Sequence, residues 1–314
     1  MKKAFIFPGQ GSQAVEMGKA LAEKFSVAAE IFDRANNILG WDLKKIAWED
    51  PNEELVRTDR TQPALFTTSV AALEVLRSFG IEPDAVAGHS IGEYAALYSA
   101  KVFDFETGLK LVDIRARAMH SASLSNPGGM AALLGIDLDN AIECCRLVEK
   151  EGKGIVSVAN INSPGQVVIS GETSALDLAI RLSRMRGVTK VVPLKVAGAW
   201  HCGLMKSAEE ELAKAVDEFK FSDPEIPVIA NVTALEVTKS DDIKKLLVKQ
   251  VCGSVLWSHS IERISQMGAE LFIEVGHGGV LSGMMKRIVK SAKSARAGTP
   301  EEIEKIVEIL QIER

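Results

Sequence analysis

Short, uninterrupted apolar runs alternate along this chain with longer stretches in which apolar residues return every three or four positions. That is the rhythm of fully buried strands between amphipathic helices. The first run, residues 3–7, ends at Pro8-Gly9. After a loop through Gln10, Gly11, Ser12, Gln13 and Ala14, a helical pattern carries Met17, Leu21 and Phe25 and continues to Leu39. Gln62-Pro63 then opens a helix with Leu65, Phe66, Val70, Leu73 and Leu76 on one side, stopped by Gly80. A second apolar run, around Val86, leads into Gly88-His89-Ser90-Ile91-Gly92 and at once into a helix-forming stretch. The next helix, 105–121, carries Leu109, Val112, Ile114 and Met119, with Arg115 and Arg117 among them.

At residues 125–129 the composition turns loop-like and the rhythm changes. The pattern predicts strand 130–136, helix 139–150, strands 155–160 and 167–171, helix 174–186 and strand 188–194, the order of a split-βαβ, ferredoxin-like unit. After Gly198 the α/β alternation resumes with helix 204–219, strand 227–231, helices 241–251 and 257–267, strand 270–275, a Gly-rich turn, helix 280–289 and a terminal helix 300–310. The expected organisation is an α/β chain in which a small domain, 127–196, is inserted into a larger one made of 1–126 and 197–314.

Composition narrows the function classes. The 314 residues are 46% hydrophobic and 25% charged, values that suit a globular chain of about two domains. Net charge is −5, and the one dense basic stretch is Lys286, Arg287, Lys290, Lys293 and Arg296, which speaks against a nucleic-acid partner. The apolar run after Met1-Lys2-Lys3 is too short for a signal-peptide core and no later run could span a bilayer, so a cytoplasmic protein without membrane association is expected. Cys144, Cys145, Cys202 and Cys252 show no CxxC pairing, which points to reduced thiols and to neither a zinc site nor a disulfide framework. Gly9, Gly11 and Ala14 formally fit the dinucleotide fingerprint GxGxxG/A. The segment behind them continues as helix, where that fingerprint needs a second strand closed by an acidic residue, and no GK[ST] phosphate loop is present. No cofactor or metal is expected.

The chemistry centres on Ser90. An apolar run, a Gly-flanked serine and an immediate helix give the strand, sharp turn and helix of a nucleophile elbow. A serine at the tip of such a turn crowds its neighbours, so Gly88 and Gly92 remove side chains that would meet the adjoining strand and helix. A Gly-rich turn with an idle serine is the competing reading. Acyl transfer through serine also needs a base, a group to orient it, an oxyanion hole and an acyl pocket. Of five histidines, His89 adjoins the serine and suits a packing or hydrogen-bonding role, His120 and His259 lie in amphipathic helices, and His277 sits in a Gly-rich turn. His201 follows Ser90 in a loop between a strand and a helix, the chain order of α/β-hydrolases, but its position alone does not separate a base from an ordinary loop histidine.

An ordered set of motifs decides between these readings: FPGQGSQ at 7–13, TQPAL at 61–65, GHSIGEYAAL at 88–97, Arg115, NSPGQVVISG at 162–171, HCGLM at 201–205, Gln250 and EVGHGGVLSGMMKR at 274–287. Over nearly the whole chain this set resembles the malonyl-CoA:acyl carrier protein transacylases of the acyltransferase family. The resemblance implies an α/β-hydrolase-like large domain with an inserted ferredoxin-like one. It also implies a ping-pong transfer of malonyl from malonyl-CoA to Ser90 and onward to the phosphopantetheine thiol of acyl carrier protein, in fatty-acid biosynthesis and by a monomeric enzyme. Ser90 would be the nucleophile, His201 the general base and acid, and the backbone carbonyl of Gln250 the group that orients His201. The N–H groups of Ile91 and Gln10 would form the oxyanion hole, and Arg115 would clamp the malonyl carboxylate, a bidentate task for planar guanidinium. Without the resemblance, Arg115 reads as a solvated helix arginine.

Some positions depart from the family pattern. Ile91 stands where leucine is usual, Ser254 and Leu256 where proline and a polar or basic residue are expected, and His277 where proline is common. Trp200, before His201, resembles the malonyl-selective form of that loop and is expected in the acyl pocket. Rival readings are a serine thioesterase on the same scaffold, deacylated by water, and a carrier-binding protein without activity. Arg115 and the inserted domain speak against the first, and the intact Ser90 and His201 against the second. The basic stretch around Lys286 is the sequence candidate for docking an acidic carrier, against the plainer reading of a solvated helix face.

Overall fold

A computed structural model describes residues 1–312. Its ten strands are β1 (Lys2–Phe7), β2 (Ala85–Gly88), β3 (Gly129–Leu134), β4 (Val156–Ser163), β5 (Gln166–Gly171), β6 (Lys190–Pro193), β7 (Val228–Ile229), β8 (Glu236–Val237), β9 (Ala269–Val275) and β10 (Lys293–Ala297). They form two sheets in an α/β fold. The larger runs β10-β9-β1-β2-β7-β8, parallel except for the antiparallel edge pair β7–β8. The smaller runs β4-β5-β3-β6 and is antiparallel throughout.

The apolar runs of the large sheet are buried on both faces, and alternation assigns each residue its side. Phe5, Phe7, Val86, Leu271 and Ile273 enter one cluster with Phe32, Phe66, Val70 and Leu109 from helices Ser26–Leu39, Thr58–Ser78 and Phe105–Ser125. Ala4, Ile6, Ala85, Ala87 and Phe272 face the other way, onto Trp257, Ile261 and Met285 of helices Trp257–Gln266 and Val280–Ile288. In the small sheet Leu133, Val156, Val167 and Ile169 pack against Ala141, Val148, Ala175 and Ala179 of helices Leu138–Lys150 and Thr173–Met185, completing the β-α-β-β-α-β order. Its opposite face, with Met130, Ala132, Ala159 and Val168, joins the large cluster. The small sheet is also tied through backbone to the loop before helix Trp257–Gln266: the Ile161 N–H donates to the Val255 carbonyl at 2.9 Å and the Val255 N–H to the Ala159 carbonyl at 2.8 Å.

Three differences from the sequence pattern have physical reasons. The helical pattern of residues 17–39 is broken at Phe25, whose extended backbone separates Lys19–Lys24 from Ser26–Leu39. The helix expected to open at Gln62-Pro63 starts at Thr58, so Pro63 lies inside it. Proline at a sixth helical position removes one hydrogen bond near the end, a cost that the burial of seventeen of the helix's residues outweighs. The basic stretch is no single helix face. Lys286 and Arg287 end helix Val280–Ile288, Lys290 follows in a turn, and Lys293 and Arg296 stand on β10, an edge strand whose exposed charges guard against further pairing. Among the described residues, all four cysteines are free and no helix is long and apolar enough to cross a membrane.

Candidate active site

The end of β2 and the start of helix Gly92–Ser99 leave three residues, His89, Ser90 and Ile91, for the turn. Ser90 occupies the left-handed region at φ 52°, which L residues adopt at a cost of order 1 kcal/mol and keep only where neighbours hold them. A Cβ on Gly88 would stand 1.9 Å from the Gly92 carbonyl carbon, and one on Gly92 would stand 2.2 Å from the Phe7 carbonyl oxygen. Both glycines are therefore demanded by the turn itself, one against the incoming helix and one against β1.

His201 comes from the loop before Gly203–Met205, also left-handed, at φ 59°, and 3% exposed. Its Nε2 lies 2.7 Å from Ser90 Oγ, and its Nδ1 lies 2.9 Å from the Gln250 carbonyl oxygen. That carbonyl closes helix Ser240–Gln250, where backbone oxygens lack intrahelical partners, so it is free to accept. With Nδ1–H donating to it, Nε2 is left unprotonated to accept from the serine hydroxyl. The loop carrying the unusual Ser254 keeps this geometry, because Ser254 Oγ donates to the Val158 carbonyl at 2.6 Å and ties the loop to β4.

Arg115 is not a solvated helix arginine. It is 1% exposed on helix Phe105–Ser125, and its Nη1 donates to Gln62 Oε1 at 2.6 Å. Its Nη2 donates to Gln250 Oε1 at 2.8 Å and to Ser90 Oγ at 3.2 Å, while its buried Nε has no partner. Among the described residues no carboxylate lies within ion-pair distance of this guanidinium. A cleft over the serine is lined by Gln10, Gln62, Ile91, Met119, Trp200 and His201, among others. Gln10 and Ile91 donate no backbone hydrogen bond among the described residues, which leaves two N–H groups beside Ser90 for an incoming oxygen. Trp200 is 5% exposed in the cleft wall. His89 also lines the cleft, and its Nε2 lies 2.9 Å from Asn162 Oδ1.

The remaining contacts come from Asn231 and Glu93, to which sequence reasoning gave no role, and from the side-chain amide of Gln250, of which it used only the backbone carbonyl. Asn231 Oδ1 accepts the Ser90 N–H at 2.8 Å, and its Nδ2 donates to the Gly88 carbonyl at 2.6 Å. The Gln250 amide Nε2 donates to the Ser90 carbonyl at 2.8 Å and to Glu93 Oε2 at 2.6 Å, while Glu93 Oε1 accepts the Asn231 N–H at 3.2 Å. Gln62 and Glu93 lie within quoted motifs but carried no assigned role. Asn231 sits 141 residues from Ser90, where no local signal exists.

Electrostatics follow from burial. His201 is lowered to about 3, first by burial and then by the Arg115 cation, so it is a neutral base at pH 7. An ordinary unfolded histidine protonates near 6.5, so below that pH the unfolded state binds the proton that folded His201 refuses, and stability falls on acidification. The melting temperature is expected to drop as pH falls from 6.5 toward 3, with a shallower slope in His201→Asn. Equal slopes in thermal melts of the two proteins would count against a neutral, buried His201. Glu93 is shifted the other way, raised to about 7 chiefly by burial.

Comparison with known proteins gives the family. The model of the acyl transferase domain family matches residues 4–304. The chain is 40% identical to the malonyl CoA-acyl carrier protein transacylase of Bacillus subtilis (strain 168), over 99% of this chain and 98% of that one. With the Escherichia coli (strain K12) protein of the same name it shares 39%, over 98% and 99%. An acyl carrier protein S-malonyltransferase from Vibrio cholerae superposes with a TM-score of 0.93 at 40% identity, covering 98% of this chain and all of that one. A malonyl-transacylase solved in complex with its type II PKS acyl-carrier protein gives a TM-score of 0.95 at 37% identity, over 98% and 100%. Matched from end to end in sequence and in fold, this chain belongs to the acyl transferase domain family and, within it, to the malonyl CoA-acyl carrier protein transacylases.

Proposed function

We propose that the chain moves a malonyl group from malonyl-CoA to Ser90 and from Ser90 to the phosphopantetheine thiol of acyl carrier protein, as in fatty-acid biosynthesis. The observation that carries this reading is the Ser90–His201–Gln250 carbonyl chain standing against a buried guanidinium with no carboxylate, among the described residues, in hydrogen-bond contact. Ser90 Oγ attacks the thioester carbon while His201 Nε2 takes its proton. Coenzyme A leaves as the thiol by receiving that proton, and Ser90 holds the malonyl ester. The carrier thiol then gives its proton to His201, attacks the ester carbonyl, and returns Ser90 Oγ to its hydroxyl. Ile91 N–H and Gln10 N–H hold the oxyanion in each half.

Arg115 receives the malonyl carboxylate, which gives direct contact to a cation that has no carboxylate within ion-pair distance among the described residues. The same pairing offsets the field that holds His201 low, so a bound malonyl group raises the basicity of the histidine just where it is needed. The Gln250 carbonyl fixes the tautomer but carries no charge to balance imidazolium, which makes this offset more important than in a carboxylate triad. Trp200 bounds the acyl cleft.

For the architecture we adopt an α/β-hydrolase-like domain of residues 1–126 and 197–314 with a ferredoxin-like domain inserted at 127–196. The helix-covered parallel sheet and the β4-β5-β3-β6 order support this division. The enzyme is placed in the cytoplasm as a monomer, with the carrier docking near Lys286, Arg287 and Lys290, all exposed. Incubation with malonyl-CoA alone is expected to add one malonyl mass to the protein, and holo carrier protein to remove it and gain that mass. Release of free malonate at the same rate without a carrier would make the enzyme a thioesterase.

A further inference from the structure

Glu93 is a buried carboxyl that the transfer steps leave unused. It stands in the first turn of helix Gly92–Ser99, 3% exposed, and reaches Arg115 through one amide: Arg115 Nη2 donates to Gln250 Oε1 at 2.8 Å, and Gln250 Nε2 donates to Glu93 Oε2 at 2.6 Å. We propose that Glu93 is the resting counter-charge of Arg115 and takes up one proton when the malonyl carboxylate pairs with that guanidinium. The inference rests on the reading of Arg115 as the malonyl clamp.

The argument is a count of charges in a buried volume. Besides Gln250, the Arg115 guanidinium touches Gln62 Oε1 and Ser90 Oγ, both neutral, and the groups whose charge acts on it are Tyr94 and Glu93. Burial pushes the Tyr94 phenol far up, so it stays neutral, and His201 is held neutral as well. Other ionisable groups on the packed elements have partners of their own: Asp113 pairs with Arg117 on helix Phe105–Ser125, Asp59 with Arg57 and Arg60, and His89, lowered by burial, sits on Asn162. Glu74 and Arg77 of helix Thr58–Ser78 engage Tyr98 at the far end of the Glu93 helix, Lys3 of β1 pairs with Asp84, and β2 has no ionisable side chain. At pH 8, above the value of about 7 to which burial raises Glu93, the resting site thus holds one cation and one anion. A second carboxylate makes it net negative without water to screen it, and an unpaired buried charge is relieved by protonation. The malonyl carboxylate gains direct contact with Arg115, whereas Glu93 reaches it only through Gln250 and already titrates at about 7, so the proton goes to Glu93. An acetyl group brings no second anion and takes up no proton.

Calorimetry on Ser90→Ala protein, which holds malonyl-CoA without transfer, measures this directly. At pH 8, titrations in phosphate and in Tris are expected to differ by the ionisation heat of close to one proton for malonyl-CoA and to coincide for acetyl-CoA. Glu93→Gln in the same background is expected to abolish the difference. Malonyl-CoA binding independent of buffer overturns the proposal, and so does uptake that survives Glu93→Gln, since the proton would then sit on His201. Should Glu93→Gln not fold, infrared difference spectra of the Ser90→Ala protein decide: a protonated-carboxyl band that appears with malonyl-CoA supports the proposal, and its absence overturns it. Arg115→Ala in the Ser90→Ala background separates the two layers. A malonyl preference that persists there sinks the clamp itself, whereas a preference that is lost while wild-type Arg115 protein shows no uptake sinks Glu93 alone.

Discussion

Ser90→Ala is expected to leave no malonyl mass on the protein after incubation with malonyl-CoA and to slow transfer to the carrier by a factor on the order of 10⁴ or more, as for other serine nucleophiles. The variant should fold. Alanine keeps the Cβ and inherits the same left-handed φ, and the groups that hold this strained residue, Asn231 on its N–H and Gln250 on its carbonyl, bond the backbone and not the hydroxyl. Only two contacts are lost, to His201 Nε2 and Arg115 Nη2. Intact-protein mass spectrometry checks the adduct and a thermal melt checks the fold. A malonyl adduct that persists in the alanine protein would assign the nucleophile elsewhere.

Arg115→Ala is expected to separate two substrates. Truncating one partner of a buried charge pair costs about 2–5 kcal/mol, roughly 30- to several-thousand-fold in a rate ratio. The specificity constant for malonyl-CoA should fall by that factor, while that for acetyl-CoA holds or rises, because acetyl offers the buried guanidinium no carboxylate to contact directly. Arg115 also holds Gln62 and Gln250, so some loss common to both substrates is built into the site. Selectivity, the ratio of the two constants, removes that common part. Parallel losses on the two substrates would mean that Arg115 supports the frame and does not read the carboxylate.

How far the sequence could be read depended on how local each cause is. The elbow was legible because its signal lies within five residues, Gly88 to Gly92, even though Gly92 is required by the distant Phe7 of β1 and only Gly88 by the helix that follows. The β-α-β-β-α-β segment was legible because each element carries its own apolar rhythm. Strand β10 was not, since an edge strand bearing Lys293 and Arg296 has almost no apolar signature and is defined by its parallel pairing with β9. Nor was the start of helix Thr58–Ser78, where proline normally marks a beginning.

The sequence by itself determined the strand and helix rhythm, the strained serine turn and the set of side chains able to do acyl transfer. Motif resemblance joined Ser90, His201, Gln250 and Arg115, although nothing in their spacing brings them together. Only the tertiary structure decided the charge states: Arg115, unremarkable on a helical wheel, is a buried cation because helices Thr58–Ser78 and Ser240–Gln250 bring Gln62 and Gln250 onto it. It also decided the roles of Asn231 and Glu93, which hold the Ser90 backbone and face Arg115 across the Gln250 amide. The reason is physical. Backbone propensity and apolar period act over a few residues, whereas desolvation and hydrogen-bond satisfaction depend on which distant side chains share one dry volume.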